Sequence, residues 1–125
     1  MEFTSIRIIA ADLAGTTAFY EAVTGTTAHR PAPVFAEVRA GGLVLALAAP
    51  ETVAGLGAGA PVPGPNPGLV VEFSVPDVDA AFDRLQGSGV LGEVVLPPTT
   101  MPWGNRSTLF RDPEGNLVNL FSRPA

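Results

Sequence analysis

The chain has 125 residues, with 7 arginines and no lysine against 12 acidic residues, one histidine and no cysteine, for a formal net charge of −5. That length suits one compact domain able to bury a core without a disulfide or metal staple. Without cysteine there is no disulfide, thiolate metal site or cysteine nucleophile, and one histidine excludes any site that draws two imidazoles from one chain. The acidic balance and lack of a basic cluster argue against a nucleic-acid partner. No apolar run reaches the roughly 18 residues a membrane helix needs. The opening residues Met1 to Arg7 are charged early and do not read as a secretion signal, so no membrane partner and a cytoplasmic location are expected.

The first half starts with a β-branched strand, Ser5 to Ala10. Asp12 stands as N-cap of a helix over Leu13 to Val23, where Leu13, Thr16, Thr17, Tyr20 and Val23 recur at helical spacing and Gly25 offers a C-cap. Pro31 and Pro33 read as a connector, with the lone His29 in it as an exposed loop residue. A hairpin follows over Val34 to Arg39 and Leu43 to Ala48, turning at Ala40-Gly41-Gly42. Glu51 to Leu56 can form a short helical turn, and the Gly/Pro-dense run from Gly57 to Gly68 reads as a link.

The pattern then restarts. Leu69 to Val75 reads as a strand, and Asp77 caps a helix to about Gln86 whose apolar stripe is Val78, Ala81, Phe82 and Leu85. Strands are expected over Glu93 to Leu96, Arg106 to Arg111 and Leu117 to Ser122, the last two joined by the turn Asp112-Pro113-Glu114-Gly115-Asn116. The two capping aspartates lie 65 residues apart, and the same offset pairs Leu13 with Val78 and Tyr20 with Leu85. A slightly larger offset pairs Leu45 with Asn119 in the final hairpins. An internal duplication accounts for this most simply.

With Ala11-Asp12-Leu13-Ala14-Gly15-Thr16-Thr17-Ala18-Phe19-Tyr20, Val75-Pro76-Asp77-Val78-Asp79-Ala80-Ala81 and the Asp-Pro-Glu-Gly-Asn turn in this order, the chain resembles the vicinal-oxygen-chelate superfamily of glyoxalase I, extradiol dioxygenases and bleomycin-resistance proteins. The resemblance implies an α+β fold of two βαβββ modules forming an open cup of mixed sheet with the helices outside. It predicts one domain over 1–125, with modules at about 1–56 and 69–125 and a link at about 57–68. It also places Ser5, Leu45, Val70 and Asn119 at the four positions where the superfamily's enzymes hold a divalent metal. Leucine and valine offer no donor, and serine and asparagine are neutral, weak ones. No metal and no cofactor is therefore expected. The stretch from Met101-Pro102-Trp103-Gly104-Asn105-Arg106 to Asn116 resembles the corresponding stretch of bleomycin-resistance proteins in particular, which bind drug as homodimers without altering it.

Period-two alternation then suggests which side chains face a ligand. Ser5 inward implies Arg7 inward, and Val70 inward implies Glu72; these two charges either pair with each other or answer a ligand. Phe35 and Glu37 share one face of their strand, Leu45 and Leu47 of theirs, and Phe110, Asn119 and Phe121 complete a mostly apolar wall. Trp103, on a proline-stiffened loop beside Met101, is the strongest single candidate for stacking on a flat organic molecule. The expected function is a non-catalytic protein that sequesters an aromatic or glycopeptide-type ligand such as an antibiotic in a cleft of a homodimer. The alternative is a metal-dependent glyoxalase- or dioxygenase-type lyase, isomerase or oxygenase with an atypical site.

Overall fold

Both capping aspartates act as their positions predict. In the computed structural model, which describes residues 1–124, the Asp12 side chain accepts from the Gly15 N–H at 2.9 Å and Asp77 accepts from the Ala80 N–H at 3.0 Å. These caps satisfy donors that the first helical turn leaves open. Helix α1 spans Leu13–Thr24 and α2 spans Val78–Ser88. Each ends on a left-handed glycine, Gly25 at φ 70° and Gly89 at φ 75°.

The chain divides into two units, Met1–Gly64 and Pro65–Ala125. In the first, strands β1 (Ser5–Ile9), β2 (His29–Ala32), β3 (Phe35–Ala40) and β4 (Leu43–Ala48) form a sheet in the order β1-β4-β3-β2. In the second, β5 (Val70–Ser74), β6 (Val94–Thr100), β7 (Arg106–Arg111) and β8 (Leu117–Ser122) repeat that plan as β5-β8-β7-β6. Each unit's first strand pairs parallel with its last, and the remaining pairs are antiparallel. This is the α+β, two-module βαβββ architecture expected.

Two boundaries differ from the sequence reading for one reason. Residues 29–32, expected as a connector, form β2, and β6 runs on through Pro97 and Pro98 to Thr100. Both are edge strands, where a residue without an N–H breaks no ladder bond on its free side. His29 accordingly lies on a strand opposite Glu37, not in a loop. The second helix also runs past Gln86 to Ser88, carrying Gly87 inside it. The expected turn after β4 is a pair of 3-10 segments, Pro50–Thr52 and Ala54–Gly59, so helical structure reaches two glycines assigned to the link.

Register decides which side chains face the helix. In the first unit, Ile8 pairs with Leu47 and Ala36 with Leu47, and all three are buried with Phe19, Tyr20 and Val23 of α1. Phe19 and Tyr20 pack edge to face with centroids 5.0 Å apart. The other face carries Ser5, Arg7, Ile9, Phe35, Glu37, Arg39, Val44, Ala46 and Ala48 by the same register. One end of it is covered: Ile9, Ala48 and Val53 form a small cluster with Phe35 and Ala60 packed on it. In the second unit Val118, Leu120, Thr108 and Phe110 are buried with Val78, Phe82 and Leu85 of α2. On this helix side, Arg106 donates to Asp79 through Nε at 2.7 Å and Nη2 at 2.8 Å.

The Asp112–Asn116 turn is tied more tightly than its turn chemistry requires. Asp112 accepts from the N–H groups of Glu114 and Asn116 through Oδ1 and from Asn116 Nδ2 through Oδ2 at 3.1 Å. Asn116, fully buried, in turn accepts through Oδ1 from the Asn66 backbone N–H at 3.0 Å and from Asn66 Nδ2 at 2.8 Å. This side-chain relay fastens residues 65–67 to the far end of their own unit. Gly115, at φ 89°, leaves room for Pro65, whose Cβ would lie 3.1 Å from an added Cβ.

Candidate functional site

The helix-free face of each sheet is where polar side chains stand outside the two helix-packed cores. On the first sheet one cross-strand row reads Arg7 on β1, Ala46 on β4, Glu37 on β3 and His29 on β2. Arg39 Nη2 lies 3.5 Å from Glu37 Oε2. Arg7 is exposed and has no charged partner within its unit among the described residues. Ser5 and Val44 form the neighbouring row.

On the second sheet the equivalent row reads Glu72 on β5, Asn119 on β8 and Leu109 on β7. Asn119 Nδ2 donates to Glu72 Oε2 at 2.9 Å, which leaves the buried Asn119 Oδ1 without a hydrogen-bond partner. Val70, Leu117, Phe121 and Ser107 share this face. Arg123 lies over the Phe121 ring, 5.4 Å from its centroid.

Four expected site residues are now placed differently. Leu45 and Leu47 belong to the helix side of β4, because β1 pairs Ser5 with Val44 and Arg7 with Ala46. The counterpart of Asn119 in the first unit is therefore Ala46, not Leu45: a one-residue slip in matching the modules exchanges the faces. Phe110 is fully buried among the α2-packed residues and Asn119 faces the other way. Met101 lies not in a long loop but in the short tip between β6 and β7, where its N–H donates to the Asn105 carbonyl at 2.7 Å and its carbonyl accepts from Gly104 at 2.9 Å. Trp103 sits at this tip and is 70% exposed, so it supports no core. The helix-free faces thus hold Arg7, Phe35, Glu37, Glu72, Asn119 and Phe121 of the expected residues. Sequence reading had passed over Ala46 and Val44, which an all-apolar strand gave no means to separate from their neighbours.

The carboxylates with perturbed protonation lie elsewhere. Arg106 beside Asp79 holds that carboxyl below its ordinary range. Arg30, with its guanidinium on Glu21 at 3.2 Å, does the same there, helped by the Ala28 N–H. Both pairs join a helix to a strand and neither lies on a helix-free face.

A model of the glyoxalase/bleomycin resistance protein/dioxygenase superfamily matches residues 3–120. The chain belongs to that superfamily. Its backbone is similar to that of a glyoxalase/bleomycin resistance protein/dioxygenase from Nocardioides (26% identity, TM-score 0.72, covering 99% of this chain and 84% of that one). It is similar also to a glyoxalase-related enzyme from Fulvimarina pelagi (19%, 0.82, 98% and 88%) and to a lactoylglutathione lyase from Agrobacterium tumefaciens (24%, 0.71, 97% and 92%). No curated protein sequence matches. The superfamily's enzymes imply a divalent metal, and the donors here can be tested against it. With the register corrected, the four positions hold Ser5, Ala46, Val70 and Asn119, two neutral oxygens and two hydrocarbons. Among the described residues no group of three or more His, Asp or Glu side chains stands together. A hard divalent ion needs charged oxygen or imidazole donors, and this set does not fit one. Among the described residues no helix is long and apolar enough to cross a membrane.

Proposed function

We propose that this member of the superfamily is a cytoplasmic, single-domain protein of two modules that binds a small organic ligand without altering it. It acts as a homodimer in the manner of the bleomycin-resistance proteins, sequestering an aromatic or glycopeptide-type antibiotic in a cleft of the dimer. What carries this reading is the donor chemistry: the positions that the family resemblance gives to metal ligands fall on Ala46 in the first unit and Val70 in the second, and neither has a donor atom. Support comes from the helix-free faces, whose apolar side chains with a few polar points have the usual makeup of a site for a flat molecule. Trp103, exposed on a short tip next to Pro102, supplies an aromatic surface at low ordering cost. Stoichiometric sequestration requires only protein in excess of ligand and a dissociation constant below the harmful concentration. No nucleophile is needed.

Titration of Trp103 fluorescence with aromatic and glycopeptide compounds tests the reading, with sedimentation for the dimer and elemental analysis of the purified protein. Saturable quenching at one ligand per protomer is expected, and calorimetry is expected to find the same ligand bound more weakly by Trp103→Ala without a change in melting temperature. Stoichiometric, tightly held nickel, zinc, manganese or iron overturns it in favour of a metal-dependent lyase, isomerase or oxygenase. So does a compound that is converted on incubation.

A further inference from the structure

Seven arginines carry all the positive side-chain charge of this chain other than its histidine. Arg30, Arg39, Arg106 and Arg111 each face a carboxylate within 4 Å, Arg123 lies over Phe121, and Arg84 is also engaged. Arg7 stands apart, with no hydrogen bond, ion pair or ring contact within its own unit among the described residues. It stands on the helix-free face of the first sheet beside Ala46, with Glu37 one strand further on. Adjacent strands lie about 4.8 Å apart, so the Arg7 and Glu37 backbones stand roughly 10 Å apart with the covered Ala46 methyl between them. Glu37 is answered by Arg39, which leaves this face with two guanidiniums against one carboxylate in a chain of net charge −5.

We propose that Arg7 is the anion-recognition residue of this sheet face and that the bound ligand carries a carboxylate or chemically similar planar anion at its guanidinium. This rests on the binding function proposed above and names the ligand class within it. A guanidinium presents a fork that matches a carboxylate with two parallel N–H···O bonds, a geometry an ammonium lacks. Arg7 is itself exposed, and the Arg39 contact keeps Glu37 from repelling the incoming charge. The acidic balance of the whole molecule does not forbid this. At physiological salt its field is screened within about 8 Å, whereas a contact with Arg7 acts at hydrogen-bond range.

The test uses 2-naphthoate, the uncharged 2-naphthamide and 2-naphthylmethylamine, with affinities measured by calorimetry on the full chain. Wild type is expected to bind the carboxylate at least about tenfold tighter than the amide and the amine. In Arg7→Gln the carboxylate falls to the affinity of the amide, whose own affinity is unchanged, and Arg7→Lys recovers only part of the preference. Because Arg7 is exposed, an unchanged circular dichroism melt confirms that the variant is folded. Equal binding of all three probes, preference for the amine, or an Arg7→Gln variant that keeps the carboxylate preference overturns the proposal while leaving ligand binding in place. Absence of binding by all three, and by the wider compound panel, overturns both readings together.

Discussion

The Asn66–Asn116–Asp112 relay makes a quantitative prediction. Asn116→Ala removes one charge-assisted hydrogen bond, from Nδ2 to Asp112, and the acceptor of two neutral ones, from the Asn66 backbone N–H and side-chain amide. The first is worth about 1.5–3 kcal/mol and each neutral bond about 0.5–1.5 kcal/mol. Asn66 is exposed, so its side-chain amide returns to water at little cost, whereas Asp112, only 4% exposed, loses a donor it cannot easily replace. The expected loss is about 2–4 kcal/mol, or on the order of 10 °C in melting temperature for a chain of this size. Urea denaturation followed by far-ultraviolet circular dichroism is the assay, since Trp103 is too exposed to report on the core.

The companion variant separates hydrogen bonding from volume. Asn116→Asp keeps the shape but places a second carboxyl against Asp112 in a site sealed from water. Two buried carboxyls at this range share one proton, so the folded state holds a proton the unfolded chain releases at neutral pH. A folded-state value raised above the unfolded one means that stability increases as pH falls. Asn116→Asp is therefore less stable than Asn116→Ala at pH 7, and its deficit relative to wild type narrows as the pH is lowered toward about 5. Hydrogen exchange at the Asn66 amide quickens in both variants. If Asn116→Ala costs less than about 0.5 kcal/mol, or if the Asn116→Asp deficit does not depend on pH, the relay does not anchor this turn.

Three further outcomes follow from the same geometry. Arg106→Gln returns the Asp79 carboxyl to its ordinary range in an NMR titration; because the paired carboxyl is lowered, the stability difference from wild type is present at neutral pH and fades as pH falls through the folded value. Gly115→Ala costs more than Gly25→Ala: both positions lie at positive φ, worth about 1–2 kcal/mol to a side chain, and only Gly115 also presses a Cβ onto Pro65. Leu47→Ala costs about 2–5 kcal/mol by cavity formation under α1, whereas Val44→Ala, half-buried on the opposite face, costs under about 1 kcal/mol; comparable losses would mean that the β4 facing is wrong.

Legibility in the sequence tracks how local the determining interaction is. Asp12 and Asp77 reveal their helices because a cap is settled within three residues, and Gly25 and Gly89 end them by the same local logic. The Asp112 to Asn116 turn was readable as a turn, but its attachment to Asn66 was not, since that bond crosses fifty residues. Pro31 and Pro97-Pro98 concealed β2 and the end of β6 because a proline's effect depends on whether its strand lies at an edge, a fact of sheet order. The facing of β4 was the costliest loss. Leu43-Val44-Leu45-Ala46-Leu47 has no polar residue and hence no alternation, so nothing local distinguishes one face from the other.

The two faces of each sheet divide the work differently between the duplicated halves. On the helix sides the matched residues stay apolar in both units, Ile8 and Leu47 in one and Val118 and Leu120 in the other, because each must fill space against α1 or α2 at core density. On the helix-free sides the matched residues diverge in chemistry: Arg7 against Glu72, Ala46 against Asn119, Glu37 against Leu109. Packing cannot require this divergence, since a guanidinium and a carboxylate at equivalent positions contribute nothing equivalent to a core. Substitution on these faces is thus free to change their chemistry while the fold, held from the other side, persists. A variant exchanging Arg7 for glutamate is accordingly expected to melt within a few degrees of wild type and to reverse the preference between naphthoate and naphthylmethylamine. A large drop in melting temperature would place Arg7 in the structural framework instead.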